Sequence, residues 1–367
     1  MRIIMDYNRK LILEDGQEYY GFGFGDMEDK VCEIVFNTSV VGYQEILSDL
    51  SYTYQAVVMT YPLIGNYGMA DCDYETNTPM IGAFIAREYN DDPSNFRSTA
   101  TLSEIMKKYQ IPGIYGLDTR KLTRSIRDFG SRKVLITNSS TSLKEGLKIL
   151  AQSSIPTDAV SKVSCKDIWC SPAENEQYHV VAIDCGMKLS IVRSLNNRGC
   201  KVTVVPWNTA AEEIEGLHPD GIFISNGPGD PTDVLGTVET VKTLIGKHPI
   251  FGICLGHQLI SLAYGAETYK LKFGHRGGNH PVRNLETNKI EITSQNHSYA
   301  VKESSLAETE LTATHINLLD GTIEGVKCDR DRVFSVQYHP ESAPGPQDSA
   351  YLFDRFIKLM KEEKNNA

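Results

Sequence analysis

The sequence lacks any apolar run close to the roughly 20 residues that a membrane-spanning helix needs, so no membrane segment is expected. It also lacks an excess of basic residues, since 37 Lys and Arg stand against 47 Asp and Glu. The resulting formal net charge of −10 argues against a nucleic-acid partner. Residues 1–6 have none of the segments of a signal peptide, so we expect a cytoplasmic location.

Three kinds of site-forming pattern are missing as well. The 8 cysteines are scattered through a long chain, which is typical of free thiols in a reducing compartment and not of a disulfide framework. No Cys or His pair has zinc-ligand spacing together with a matching second pair, so no metal site is expected. The phosphate-binding pattern G-x-x-x-x-G-K-[ST] is also absent, and no ATP site is expected in this chain.

The length and the distribution of polar residues indicate two domains. A chain of 367 residues exceeds a single comfortable hydrophobic core. Residues 153–176 are polar and without sustained periodicity, which predicts a linker. We therefore expect an N-terminal domain over residues 1–152 and a C-terminal domain over residues 177–363.

The C-terminal part alternates between short apolar runs and helical patterns. Such alternation predicts an α/β fold whose sheet is mostly parallel and covered by helices on both faces. Ligands bind at the carboxyl ends of the strands in sheets of this kind. The predicted strands are 178–184, 201–206 and 221–225, and the predicted helices between and after them are 187–197 and 234–246.

Residues 252–258, Gly-Ile-Cys-Leu-Gly-His-Gln, follow an apolar strand and lead into a helix. The pattern predicts a nucleophile elbow, a sharp turn on which small flanking residues lift a nucleophile, here Cys254, clear of the sheet. A helix that begins at the thiol favours the thiolate. The backbone N–H of Leu255 would face an oxyanion.

A thiolate nucleophile needs a base and a group that orients the base. An apolar strand runs into His339, and Pro340 should end that strand because it cannot donate to a ladder. Glu341 is then close enough to hydrogen-bond the imidazole, which completes the roles of a triad. In the loop 225–231, Gly227 can offer a second N–H to the oxyanion. We place His275 and His280 in a further loop, outside the triad.

The stretch 252–258, taken together with His339 and Glu341, resembles the class I glutamine amidotransferase family. Several other stretches resemble the small-chain family of carbamoyl-phosphate synthase. Together they extend over nearly the whole chain: 35–47, 61–68, 116–124, 272–281 and 295–297.

The resemblance implies a class I amidotransferase fold preceded by a smaller α/β domain, and the hydrolysis of glutamine through a thioester on Cys254. It implies that glutamine is the substrate and that a separate large chain is the partner, which uses ATP and Mg²⁺ to make carbamoyl phosphate. No cofactor is implied for this chain itself. Six residues are implied to contact glutamine, in addition to the oxyanion donors Leu255 and Gly227: Ser51, Gly229, Gln258, Asn296, Ser298 and Tyr299.

Two alternatives stay open from the sequence. One is a cysteine hydrolase or peptidase that has the same elbow and acts without a synthase partner. The other is a non-catalytic subunit that keeps only the fold. Gln258 and the loop 226–231 count against the first alternative, and an intact set of Cys254, His339 and Glu341 counts against the second.

Overall fold

The computed structural model describes residues 6–366, which divide into two compact units between Pro156 and Thr157. The division lies inside the predicted linker 153–176. Residues 1–5, on which the expectation about a signal peptide largely rests, lie outside the described residues. Within residues 6–366, none of the helices combines the length and the apolar character that a membrane crossing requires.

The first unit is built around a closed barrel of seven strands in the order β1-β2-β8-β6-β4-β3-β9. Strands β5 and β7 form a separate small sheet. The described strands are β1 Arg9–Leu13, β2 Glu18–Gly25, β3 Lys30–Asn37, β4 Gln55–Met59, β5 Leu63–Ile64, β6 Ala83–Ile85, β7 Glu88–Tyr89, β8 Pro112–Tyr115 and β9 Arg132–Asn138. The helices are α1 Tyr43–Ser48, α2 Leu102–Lys108, α3 Thr119–Phe129 and α4 Leu143–Gln152.

The second unit contains one sheet of ten strands among its described residues, in the order β10-β12-β11-β13-β14-β19-β18-β16-β15-β17. Its strands are β10 Trp169–Ser171, β11 Tyr178–Asp184, β12 Cys200–Pro206, β13 Gly221–Ile224, β14 Ile250–Ile253, β15 Thr268–Asn284, β16 Ile290–Val301, β17 Thr312–Asn317, β18 Ile323–Cys328 and β19 Val333–Val336. Its helices are α5 Ala159–Val163, α6 Leu189–Asn196, α7 Ala211–Gly216, α8 Leu235–Leu244, α9 Leu255–Ala263, α10 Glu303–Leu306 and α11 Tyr351–Asn366.

Strands β12, β11, β13, β14 and β19 are parallel to one another. They form the part of the sheet that the sequence predicts, and the α/β class expected for the second unit is confirmed. Strands β15 to β18 extend this sheet with antiparallel pairs. The carboxyl ends of β13, β14 and β19 are neighbours, so the segments that follow these three strands lie side by side.

Alternate residues of β11 face opposite sides of the sheet, as the two-residue period of a strand requires. Val181 and Ile183 pack in one core with residues of α7, α8 and α9. Val180 and Ala182 pack in another core with residues of α6 and α11. Burial on both faces explains why the strand is a continuous apolar run, and it confirms the prediction that helices cover both sides.

Some element boundaries differ from the predicted ones. The helix predicted at 187–197 begins at Leu189, because Lys188 has extended backbone angles and stands at the N-cap. The helix predicted at 234–246 begins at Leu235, after a 3-10 turn over Pro231–Val234.

The loop predicted around His275 and His280 is wrong, because both residues lie in the 17-residue strand β15. Two register shifts interrupt the pairing of this strand with β16, between Lys270 and His275 and between Gly277 and His280. Gly274 has φ +71°. Bulges that use glycine give a strand the composition of a loop, which explains the error.

Candidate functional site

Cys254 stands on a strained turn between β14 and α9. Its backbone angles are φ 54° and ψ −103°, a conformation that L-residues rarely adopt. A Cβ on Gly256 would lie 2.2 Å from the Ile224 carbonyl oxygen, and a Cβ on Gly252 would lie 2.8 Å from the Gly256 backbone. Both flanking glycines are therefore required by close backbone packing, as in the predicted elbow.

The thiol of Cys254 is buried and faces β16. Its Sγ donates to the Asn296 carbonyl oxygen at 3.5 Å. The backbone N–H of Cys254 donates to the carbonyl oxygen of Val336 at the end of β19, at 2.9 Å. The turn is thereby fixed against the strand that leads to His339.

His339 and Glu341 follow β19 and form a buried pair, with Nδ1 of the imidazole 2.6 Å from Oε1 of the carboxylate. Burial lowers the pKa of His339, but the charge of Glu341 and the interaction with the Cys254 sulfur outweigh it and raise that pKa well above its ordinary value. Nε2 of His339 has no hydrogen bond of normal geometry in the part of the chain described. It is therefore available for proton exchange with the thiol or a ligand.

Lys188, which sequence reasoning missed, completes this buried line of groups. Its Nζ donates to Glu341 Oε1 at 2.9 Å and to the Ala343 carbonyl oxygen at 2.6 Å. Burial raises the pKa of Glu341, but the positive charges of Lys188 and His339 hold it well below its usual range. Glu341 is therefore an ionised carboxylate that holds the side chains of Lys188 and His339 in place.

The two predicted oxyanion donors lie on adjacent turns. A Cβ on Gly227 would lie 2.8 Å from Leu255 Cδ2 and 2.2 Å from the Cys185 carbonyl oxygen, so this loop packs directly on the elbow. Within residues 6–366, the N–H groups of Gly227 and Leu255 enter no hydrogen bond. Gly229 follows with φ +90°, a conformation that favours glycine.

Gln258 lies one turn along α9 from the elbow and is held in one orientation. Its Nε2 donates to the Tyr299 carbonyl oxygen at 2.9 Å and to Gln337 Oε1 at 3.0 Å. Both amide hydrogens are therefore used. The side-chain oxygen of Gln258 keeps its acceptor capacity for a ligand.

Asn296, Ser298 and Tyr299 lie on β16. Asn296 approaches the thiol through its carbonyl oxygen, and Tyr299 binds Gln258 through its own. The Ser298 hydroxyl accepts a hydrogen bond from Nη2 of Arg276 on the neighbouring strand β15. This contact directs the Ser298 side chain toward Arg276.

Ser51 belongs to the first unit, where it lies in a short 3-10 turn over Leu50–Tyr52. It is buried, and its backbone N–H donates to Asp49 Oδ1 at 2.9 Å. Its contribution to a glutamine site stays a prediction.

Within the second unit, the structure places His339, Asn296 and the Gly227 turn beside the Cys254 elbow, and the roles of all predicted site residues in catalysis stay predictions. Lys188, Gln337 and Arg276 were missed. Lys188 could have been found, because it follows the carboxyl end of a predicted parallel strand, where ligand-facing groups concentrate. Gln337 contacts Gln258 of helix α9, and Arg276 contacts Ser298 of the neighbouring strand. Spacing along the chain does not reveal such contacts.

Comparison with known families covers both units. Residues 181–359 match the family described as glutamine amidotransferase class-I. Residues 11–136 match the family described as carbamoyl-phosphate synthase small chain, CPSase domain.

Curated relatives match along almost their whole length. The carbamoyl phosphate synthase small chain of Fusobacterium nucleatum is 53% identical over 352 residues, which is 96% of this chain and 98% of the relative. The small chain of Staphylococcus epidermidis is 50% identical over 97% of each chain. The carbamoyl phosphate synthase pyrimidine-specific small chain of Bacillus subtilis is 51% identical over 96% of each chain.

Replacing Lys188 by Met should destabilise the second unit, because the Glu341 carboxylate stays buried without one of its two charged partners. Breaking a buried pair in this way typically costs about 3–5 kcal/mol. A carboxylate with a depressed pKa contributes stability above its unfolded pKa and loses it as the pH falls. Removal of Lys188 raises the Glu341 pKa, so the folded variant takes up this proton at a higher pH than the wild type, and we expect the deficit to be smaller at about pH 4 than at about pH 8.

Urea unfolding at the two pH values measures this deficit, and Lys302→Met is the matched control. Lys302 pairs with Glu267 at 2.6 Å, but both side chains are exposed. We expect no measurable change in the control. Equal losses of unfolding free energy in the two variants would show that the buried Lys188–Glu341 pair stabilises the unit no more than an exposed pair does.

Proposed function

This chain belongs to the carbamoyl-phosphate synthase small-chain family and carries a class I glutamine amidotransferase domain, and on that premise we propose how it works. It hydrolyses glutamine to glutamate and ammonia through a thioester on Cys254. The ammonia passes to a separate large chain, which uses ATP and Mg²⁺ to make carbamoyl phosphate from bicarbonate. The observation that carries the proposal is the strained Cys254 elbow beside the buried His339–Glu341 pair.

The first step is attack of the Cys254 sulfur on the side-chain amide carbon of glutamine. The sulfur transfers its proton to His339, and a C–S bond forms as the carbonyl oxygen becomes an oxyanion. The raised pKa of His339 supports this proton transfer, because it makes the imidazole a stronger base. Glu341 stabilises that imidazolium and holds the ring through Nδ1.

The oxyanion would be held by the N–H groups of Gly227 and Leu255. Two properties of this pair support the role: both N–H groups are uncommitted within the described residues, and their turns are in direct contact. Donors fixed in advance stabilise the developing charge without reorganisation when the reaction occurs.

Breakdown of the tetrahedral intermediate then releases ammonia. His339 donates its proton to the departing nitrogen as the C–N bond breaks, which leaves the glutamyl thioester and a neutral imidazole. The imidazole next takes a proton from water, hydroxide attacks the thioester, and glutamate leaves as the thiol is restored.

Glutamine must also be recognised at its α-ammonium and α-carboxylate groups. The oxygen of Gln258 is suited to accept from the α-ammonium group, because the amide nitrogen is already committed to Tyr299 and Gln337. Gly229, Asn296, Ser298 and Tyr299 offer further backbone and side-chain contacts. We assign Ser51 to the same set on the basis of family resemblance.

Cys254→Ser should abolish glutamine hydrolysis, because a hydroxyl without strong activation is a poor nucleophile. The variant should keep its fold and its binding to the large chain. A complex reconstituted with the large chain should therefore make carbamoyl phosphate from added ammonium and not from glutamine.

Assays of glutamine-dependent and ammonium-dependent synthesis on the same complex separate the outcomes. Near-normal synthesis from glutamine by the variant would remove Cys254 as the nucleophile. Glutamine hydrolysis by the wild-type complex without any gain in carbamoyl phosphate would favour a hydrolase that acts alone.

His339→Asn should lower kcat by about 10²–10⁴-fold, because this residue transfers protons directly. Glu341→Gln should lower it less, because the carboxylate acts through the orientation and charge of the imidazole. The comparison is made at saturating glutamine on the complex with the large chain. A larger loss for Glu341→Gln would mean that the two roles are assigned wrongly.

A further inference from the structure

A second cluster of ligand-type side chains lies in the antiparallel part of the second unit. It consists of His275 on β15, His297 on β16 and Glu324 on β18, and all three are buried. One nitrogen of each imidazole and one carboxylate oxygen lie within 4.8 Å of one another. None of the three takes part in the steps proposed for glutamine hydrolysis.

The surroundings of His275 fix which of its nitrogens carries hydrogen. Nε2 lies 2.8 Å from Asp320 Oδ2, and burial with that contact favours an N–H at this position. Nδ1 has no hydrogen-bond partner among the residues that the structure describes. It lies 3.5 Å from Glu324 Oε1, so this nitrogen and the carboxylate face each other inside the unit.

His297 shows the same arrangement with its nitrogens exchanged. Its Nδ1 lies 2.8 Å from the Tyr299 carbonyl oxygen, which can only accept, so the hydrogen is on Nδ1. Nε2 then presents a lone pair to Gln295 Oε1 at 2.8 Å. The amide of Gln295 is held in this orientation because its nitrogen donates to Glu324 Oε2 at 2.9 Å.

His275 Nδ1, His297 Nε2 and the Glu324 carboxylate therefore lie together inside the unit. We propose that this cluster binds one divalent transition-metal ion of the Zn²⁺ class through His275 Nδ1, His297 Nε2 and the Glu324 carboxylate. Gln295 Oε1 would serve as the fourth ligand once its distance of 2.8 Å from His297 Nε2 widens to roughly 3.4 Å.

The ligand types and the spacing between His275 and Glu324 fit this metal class. Bonds of about 2.0–2.1 Å in a tetrahedral site separate neighbouring ligand atoms by roughly 3.4 Å. The distance of 3.5 Å between His275 Nδ1 and Glu324 Oε1 agrees with that value. Two imidazoles and a carboxylate are common ligands of zinc.

The groups around the ligands also fit. Histidine ligands usually donate their other N–H to a carboxylate or a backbone carbonyl, as His275 does to Asp320 and His297 does to Tyr299. The Glu324 carboxylate is itself held by Asn317 Nδ2 at 2.9 Å. The expectation of no metal site rested on spacing along the chain, and that spacing carries no information when the ligands come from three strands.

The ion would stabilise the strand segment that approaches Cys254. His297 lies between Asn296 and Ser298, and the Tyr299 carbonyl that receives its N–H also receives Gln258 Nε2. The test of metal binding is nevertheless independent of the proposed glutamine chemistry, because it needs no turnover.

A proton is the competing occupant of the cluster. Burial lowers the pKa of His275, but hydrogen bonds and charge from Asp320 and Glu324 outweigh it and raise that pKa to about 9. The facing groups His280 and His297 oppose a charge there, and burial holds the pKa of each below its ordinary value. An imidazolium at His275 would satisfy Glu324 without any metal.

Metal content and metal titration of the full chain distinguish the two occupants. The chain is purified without chelators for elemental analysis, then stripped and titrated with Zn²⁺ and with Co²⁺, whose absorption bands report tetrahedral coordination. We expect one ion per chain and a tetrahedral Co²⁺ spectrum. A correctly folded chain that takes up neither ion contradicts the proposal and favours the imidazolium.

Variants test the ligands. Glu324→Gln should weaken binding by more than about tenfold, since it removes the charged ligand. Glu291→Gln is the matched control: it changes another buried carboxylate of the same unit, one that binds Tyr351 at 2.9 Å, and should bind metal like the wild type.

Asp320→Asn keeps all three ligands and changes a partly exposed carboxylate, so it tests the proposal even if Glu324→Gln does not fold. It should weaken binding by about 10- to 100-fold. Wild-type affinity in Asp320→Asn would overturn the assignment.

Discussion

A buried line of charged groups, from Lys188 through Glu341 to His339, is the interaction on which the rest of the candidate site depends. None of the three could be buried alone, because an isolated charge in a protein interior costs several kcal/mol. Together they offset one another through contacts of 2.9 and 2.6 Å. The same contacts raise the pKa of His339 and fix its ring beside Cys254, so stability and chemistry depend on one arrangement.

The sheet supplies the second constraint. Strands β13, β14 and β19 are adjacent and parallel, so the loop of Gly227, the elbow of Cys254 and the segment of His339 leave the sheet side by side. The turns are packed so closely that a Cβ on Gly227 or Gly256 would overlap backbone oxygen. The Gly227 and Leu255 N–H groups and the Cys254 thiol are therefore held in place by backbone packing, whereas His339 is oriented by its contact with Glu341.

The parallel strands, the elbow and the His339–Glu341 pair could be predicted because each is local: a run of apolar residues, a pair of glycines, a proline after a strand. The antiparallel extension could not, because β15 contains bulges and glycines that resemble a loop. Lys188 and Glu341 are separated by 153 residues, and their contact exists only once β11 and β19 join the same sheet.

The central claim is that Cys254 becomes covalently attached to the glutamyl group during turnover. The complex with the large chain is mixed with glutamine, quenched in acid within a turnover, digested and examined by mass spectrometry for the peptide that contains Cys254. The account predicts a glutamyl group on the Cys254 sulfur that disappears when glutamine is exhausted. Continued release of glutamate, with this peptide unmodified at every quench time, would contradict it.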